Sequence, residues 1–160
     1  LDNPSKLNAI STGMWRALVD ALAAFENEPA VRCVVITGQG DKAFCVGADI
    51  GEKDRAERES PEDYERVVID SLNKIQAFPK PTIAKVNGDA VGAGMNLALG
   101  CDLVVAGERA RFSQIFARRG LSLGFGGSWL LPRLVGMRKA KELTFLPTSS
   151  PRARPSAWAL

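Results

Sequence analysis

The chain has 160 residues, 46% of them hydrophobic and 24% charged, with 21 basic against 18 acidic side chains and a net charge of +3. That length suits one domain with a real core, and the composition excludes a disordered or low-complexity chain. The well-mixed charge gives little for a nucleic acid to bind, and no apolar run approaches the ~20 residues of a membrane helix, so no membrane partner is expected.

In chain order, the first clear element is a helix from Ser11. Met14, Trp15, Leu18, Val19, Leu22 and Phe25 recur at helical spacing, Ser11 or Thr12 can cap the start, and Pro29 closes the end. Arg32 to Gly38 is short, β-branched and barely relieved by polar residues, the pattern of a buried parallel strand. Ala43 to Asp49 follows as a small-residue strand and loop. Gly51 to Glu59 is a charge run with no apolar period, which predicts a solvated, mobile loop. Ser60-Pro61-Glu62-Asp63 then reads as a helix start, with acids near the positive end and an apolar face of Tyr64, Val68, Leu72 and Ile75.

Lys80 to Asn87 is the next strand. Asn87-Gly-Asp-Ala-Val-Gly-Ala-Gly-Met-Asn96 after it reads as a glycine-rich turn running directly into a helix. Cys101 to Ala106 is a further strand, and the residues from Gly126 onward suggest two short helices separated at Gly136. Strand and helix alternate, which predicts an α/β fold with mainly parallel strands. Leu146 to Leu160 carries three prolines and no apolar period, so the division expected is a core of residues 1–145 and an atypical, loosely packed tail of residues 146–160. With no signal-like opening, the expected compartment is the cytoplasm.

Several chemistries drop out. Histidine is absent, which removes Ser-His-Asp triads, Cys-His dyads and His-built metal sites together. Cys33, Cys45 and Cys101 show no Cys-x-x-Cys spacing and lie among apolar residues, so they read as reduced, buried thiols and no metal site is expected. The glycine turn lacks the third glycine of a dinucleotide fingerprint and the Gly-Lys-Ser/Thr of a phosphate loop. Two readings of the turn remain: close packing of helix on strand, or backbone N–H groups presented to a developing oxyanion. In acyl-transfer enzymes the latter is worth roughly 3 kcal/mol per donor.

Phe44-Cys-Val-Gly-Ala-Asp-Ile50, Lys80-Pro-Thr-Ile-Ala-Lys-Val-Asn-Gly-Asp-Ala-Val-Gly-Ala-Gly94, Cys101-Asp-Leu103 and Ala110-Arg-Phe-Ser113 occur in this order, with Asn3-Pro4 and Asn8-Ala9 ahead of them. Together they resemble the enoyl-CoA hydratase/isomerase (crotonase) family, from Leu1 to about Phe145. The resemblance implies a crotonase-like spiral of ββα units that binds an acyl-CoA thioester, with the C-terminal helical region missing or altered. It implies that the Ala48 and Ala93 N–H groups hold the thioester oxygen as it becomes an enolate. Lys6, Leu7, Ala48, Asp49 and Ile50 would line the coenzyme A site. Coenzyme A enters as part of the substrate with no separate cofactor, and the implied assembly is a homotrimer or dimer of trimers. The tail departs from the family's continuation, as a frameshift after about Leu146 would make it.

Hydratases of this family use two glutamates, whose positions correspond to Asn96 and Phe116; isomerase-type relatives can use an aspartate at the position of Gly124. None of the three is acidic here. Asn96 can orient a carbonyl or a water but takes no proton near neutral pH. Paired-carboxylate hydration is therefore disfavoured, and the expected chemistry is isomerisation or another enolate step with Asn96 as a polar positioner. The alternative is a non-catalytic acyl-CoA-binding module or inactive remnant. Asp49, Asp89 and Asp102 each have a structural reading as well, and Arg118, Arg119, Arg133, Arg138 and Lys139 read as a solvated face unless they meet coenzyme A phosphates.

Overall fold

A computed structural model of the protein describes residues 1–50 and 61–146. The expected charged loop at 51–59 and the tail beyond Leu146 lie outside the described residues. Helix α1 spans Thr12–Glu26 and is capped by Ser11, whose Oγ accepts from the Met14 N–H at 3.2 Å. It buries Trp15 and Leu22 of the expected stripe, while Phe25 at its end stays exposed. After it come β1 (Val34–Thr37), β2 (Ala43–Cys45) and α2 (Pro61–Gln76). The next turn of chain is β3 (Thr82–Val86), β4 (Asp89–Val91) and α3 (Ala93–Leu99), and the third is β5 (Leu103–Ala106), β6 (Arg111–Ser113) and a 3-10 turn at Ile115–Arg119. Helix α4 (Gly127–Phe145) closes the described chain.

The strands form two parallel three-stranded sheets, ordered β1-β3-β5 and β2-β4-β6. Every turn of chain therefore adds one strand to each sheet, and this repeated step makes a spiral of ββα units. Register is set by the first sheet's rows, such as Val35 beside Ile83 beside Leu103. The core lies where α1, α2 and α3 meet the inner faces of the sheets, around Trp15, Phe44, Ile75, Val86, Leu97 and Leu131.

The motifs near the N-terminus have a structural account. Leu7 and Asn8 both take left-handed backbone conformations, at φ 53° and 57°. Asn8 is buried, donates from Nδ2 to the Gln39 and Ala43 carbonyls at 3.0 and 2.8 Å, and accepts from the Asn3 N–H at 3.0 Å. An asparagine tolerates that backbone better than most residues and can span three loop groups at once. It ties the first ten residues to the β1–β2 loop.

Three expectations need correction. Asn87 onward does not run directly into a helix: Asp89–Val91 first forms β4, because it is flanked by β2 and β6 and gains a ladder on both sides. Three residues are too few to show strand alternation in sequence. Strand β1 is only partly buried, with Val35 exposed, and β5 is exposed along its whole length. Cys33 is exposed just ahead of β1, whereas Cys45 and Cys101 are buried free thiols. The expected break in the last helix is present: Gly136 interrupts α4 at φ 76°, ψ 156°.

Candidate active site

Two backbone segments meet at the C-terminal ends of β2 and β4. A methyl group at Gly94 would lie 2.1 Å from the Cys45 carbonyl oxygen, so only a residue without a side chain lets α3 start this close to β2. Gly47, at φ 98°, faces the same junction: a Cβ built there stands 3.5 Å from the Ala93 nitrogen.

The direction of two N–H groups follows from their partners. The Gly47 carbonyl accepts from the Ile10 N–H at 2.8 Å, and the Asp49 N–H donates to the Ile10 carbonyl at 2.9 Å, forming an isolated parallel bridge between Ile10 and Ala48. The Gly47–Ala48 peptide is trans and planar, so its N–H points opposite to its carbonyl, away from Ile10. The same argument applies at Gly92–Ala93. The Gly92 carbonyl accepts the first bond of α3, from the Asn96 N–H at 3.1 Å, which turns the Ala93 N–H outward from the helix start. The sheet pairing brings these two peptides side by side.

The three positions without acids converge beside them. Asn96 is fully buried; its Nδ2 donates to the Gly124 carbonyl at 2.7 Å, and its Oδ1 accepts from Gln114 Nε2 at 2.6 Å. A Cβ at Gly124 would be 3.4 Å from the Phe116 ring, and one at Gly92 would be 3.7 Å from it. Residues from α3, the 3-10 turn and the loop before α4 therefore share one corner, next to Ala93. The loop is tied to the core by Phe125, whose ring packs on the buried Trp15 with centroids 4.8 Å apart.

Gln114 escaped the sequence reading. It is buried, it orients the Asn96 amide, and its Oε1 has no hydrogen-bond partner. The assignment is self-consistent: the Gly124 carbonyl demands the amide nitrogen of Asn96, so Asn96 Oδ1 must face the nitrogen of Gln114. One glutamine between Ser113 and Ile115 carries no periodic signal by which it could have been found.

Of the expected coenzyme A residues, Asp49 and Ile50 follow Ala48 directly in the chain. Leu7 and Ile50 are exposed, and Lys6 Nζ reaches the buried Asp49 carboxylate at 2.6 Å. The other acids are structural. Asp102 Oδ2 accepts from the Thr82 N–H and hydroxyl, both at 2.8 Å, joining the starts of β3 and β5. Asp89 takes a two-pronged ion pair from Arg111. Arg118, Arg119 and Arg138 are exposed, Arg133 lies over the Trp129 ring, and Lys139 pairs with Glu142. Cys45 is no nucleophile here, because burial pushes its thiol up to about 11.

The model of the enoyl-CoA hydratase/isomerase family matches residues 1–155. The chain belongs to that family. A crotonyl-CoA hydratase from Syntrophomonas wolfei is 37% identical over 145 residues, covering 91% of this chain and 56% of the relative. A 1,2-epoxyphenylacetyl-CoA isomerase from Escherichia coli is 34% identical over 164 residues, covering all of this chain and 62% of the relative. Among solved structures, an enoyl-CoA hydratase from Polaromonas matches with a TM-score of 0.84 at 40% identity, over 92% of this chain and 58% of that one. One from Mycobacterium avium subsp. paratuberculosis matches with a TM-score of 0.87 at 31% identity, over 100% and 60%.

The spiral of ββα units is thus the crotonase fold, and this enoyl-CoA hydratase/isomerase family member spans a little over half the length of the relatives it matches. No helix among its described residues is long and apolar enough to cross a membrane.

Proposed function

We propose that the protein binds an acyl-CoA thioester and stabilises its enolate through the N–H groups of Ala48 and Ala93. The observation that carries this reading is the pair of opposed peptides, Gly47–Ala48 and Gly92–Ala93. Each commits its carbonyl inward, to Ile10 and to α3, and so turns an N–H toward the junction. Donors fixed in this way lose little by reorganising as charge develops on the oxygen. Coenzyme A comes as part of the substrate, with Lys6, Leu7, Asp49 and Ile50 around it, and no separate cofactor is called for. A cytoplasmic location and a homotrimer or dimer of trimers belong to the same proposal.

Isomerisation, or another step through an enolate, fits better than hydration. Adding water needs one group to take its proton and another to return a proton to the α-carbon. An amide and a phenyl ring stand at the two positions where hydratase relatives would carry those groups, and Gly124 leaves a hydrogen atom at the position of the aspartate that isomerase-type relatives can use. The second reading, a non-catalytic acyl-CoA-binding module, draws support from Asn96, whose amide is engaged on both sides by Gly124 and Gln114.

The test incubates the chain with 2-enoyl, 3-enoyl and aryl-CoA thioesters in deuterated water. Exchange at the α-carbon or an isomerised product is expected; binding with neither leaves the module. Ala93→Pro deletes one donor at a first-turn position that tolerates proline, and an unchanged rate in that variant would dispose of the oxyanion assignment.

A further inference from the structure

We propose that Phe116 selects the acyl group: the site takes a coenzyme A thioester whose acyl part is apolar, free of hydroxyls and carries a flat aryl ring next to the thioester. This inference deepens the reading of the Ala93 N–H as a donor to the thioester oxygen, and rests on it. The 3-10 turn at Ile115–Arg119 brings two apolar side chains to that donor peptide. A Cβ built at Gly92 would stand 3.6 Å from Ile115 Cγ2, and 3.7 and 3.8 Å from Phe116 Cζ and Cε2. One built at Gly124 would stand 3.4 Å from Cε1 of the same ring. The outer edge of the ring thus lies between two residues without side chains, one of them the first residue of the Gly92–Ala93 peptide.

Two consequences follow from a ring in that place. Neither Gly92 nor Gly124 has a side chain to cover its tip, and Phe116 is only half-buried, so apolar ring surface remains for a ligand. An apolar acyl group covers that surface best. A second aromatic ring does so better than an alkyl group of equal bulk, because offset or edge-to-face rings attract beyond the area they bury, by about fivefold in affinity. A hydroxyl on the acyl chain, by contrast, finds no open partner on Asn96 or Gln114. Asn96 has Nδ2 engaged by the Gly124 carbonyl and Oδ1 by Gln114 Nε2, while Gln114 Oε1 is shut away from solvent. A hydroxyl stripped of water and left unbonded against a phenyl ring is disfavoured.

Calorimetry of the full chain with phenylacetyl-CoA and cyclohexylacetyl-CoA, thioesters of similar bulk, tests this; acetyl-CoA, too short to need the ring, reports binding of the carrier. Phenylacetyl-CoA is expected to bind about fivefold more tightly than cyclohexylacetyl-CoA. Phe116→Leu keeps the wall apolar but removes the ring, and should bring that ratio to about one. A ring that only supports the fold predicts otherwise: the variant weakens both thioesters alike and the ratio stays. That outcome, or equal affinities in the parent, overturns the proposal. Should Phe116→Leu fail to fold in a thermal melt, the parent's ratio and that of Phe116→Met, whose unbranched side chain adapts to the gap, decide instead. Binding of acetyl-CoA but of neither longer thioester also overturns the role of Phe116, and leaves the enolate reading standing. If none of the three binds, the acyl-CoA reading itself falls, and this inference with it.

Discussion

Asn96→Asp changes almost no volume and turns the buried amide into a group that can ionise. In the parent, Nδ2 donates to the Gly124 carbonyl at 2.7 Å, and Oδ1 accepts from Gln114 at 2.6 Å. A protonated aspartic acid can reproduce both bonds, with its O–H directed at Gly124. An ionised one sets a charged oxygen against the carbonyl oxygen with no proton between them, at a site with no solvent access. Burial and lost hydrogen bonding both disfavour the charged form, and a rise of about 3 units from the usual value of about 3.9 is the low end for fully buried carboxyls. The native state then keeps a proton that the unfolded chain has released. Stability is therefore intact below about pH 4 and falls as pH rises toward about 7, by about 4 kcal/mol in total. Urea denaturation of variant and parent across about pH 4 to 8 measures this, because the parent's own pH dependence cancels in the difference. A difference that is flat with pH, or that shrinks as pH rises, would refute the burial and bonding assigned to Asn96. The same carboxyl, half protonated near neutrality and beside Ala93, should raise α-proton exchange of a bound thioester by about a hundredfold or more.

Two further outcomes are expected. Gly94→Ala places a methyl group 2.1 Å from the Cys45 carbonyl oxygen and should cost about 3 kcal/mol or more, read as a lowered melting temperature, whereas Gly13→Ala, with its nearest neighbour 3.8 Å away in α1, should cost nothing. Burial pushes the Cys45 and Cys101 thiols up to about 11 and about 12, so the native state holds protons that the unfolded chain sheds from about pH 9. Stability should fall as pH rises from there, less steeply in Cys101→Ala, while a thiol reagent at neutral pH modifies Cys33 alone.

Much of the architecture was legible in the sequence because it depends on local chemistry. Ser11 caps α1 whatever lies around it, Trp15 and Leu22 fall on one stripe by helical period, and Gly136 breaks α4 where no other residue takes that backbone so cheaply. Strand β4 was not legible, since a three-residue strand exists only through its neighbours β2 and β6. The buried strand expected over Arg32 to Gly38 failed on Val35 for a related reason: β-branched composition predicts an extended backbone, while the partner that would cover the outward face has to be seen.

The candidate site divides along the same line. The order of the motifs determined the family, and the residue types at Asn96, Phe116 and Gly124 determined that the expected acids are absent, because a side chain's protonation chemistry is a property of the residue itself. What only the tertiary structure decided is how those residues are used. It joined three segments into one corner beside Ala93, engaged both ends of the Asn96 amide, brought in Gln114, and set Lys6 on Asp49. Hydrogen-bond partners far apart in sequence leave no periodic trace along the chain; they come into being when parallel strands stack turn upon turn and carry distant loops to the same edge.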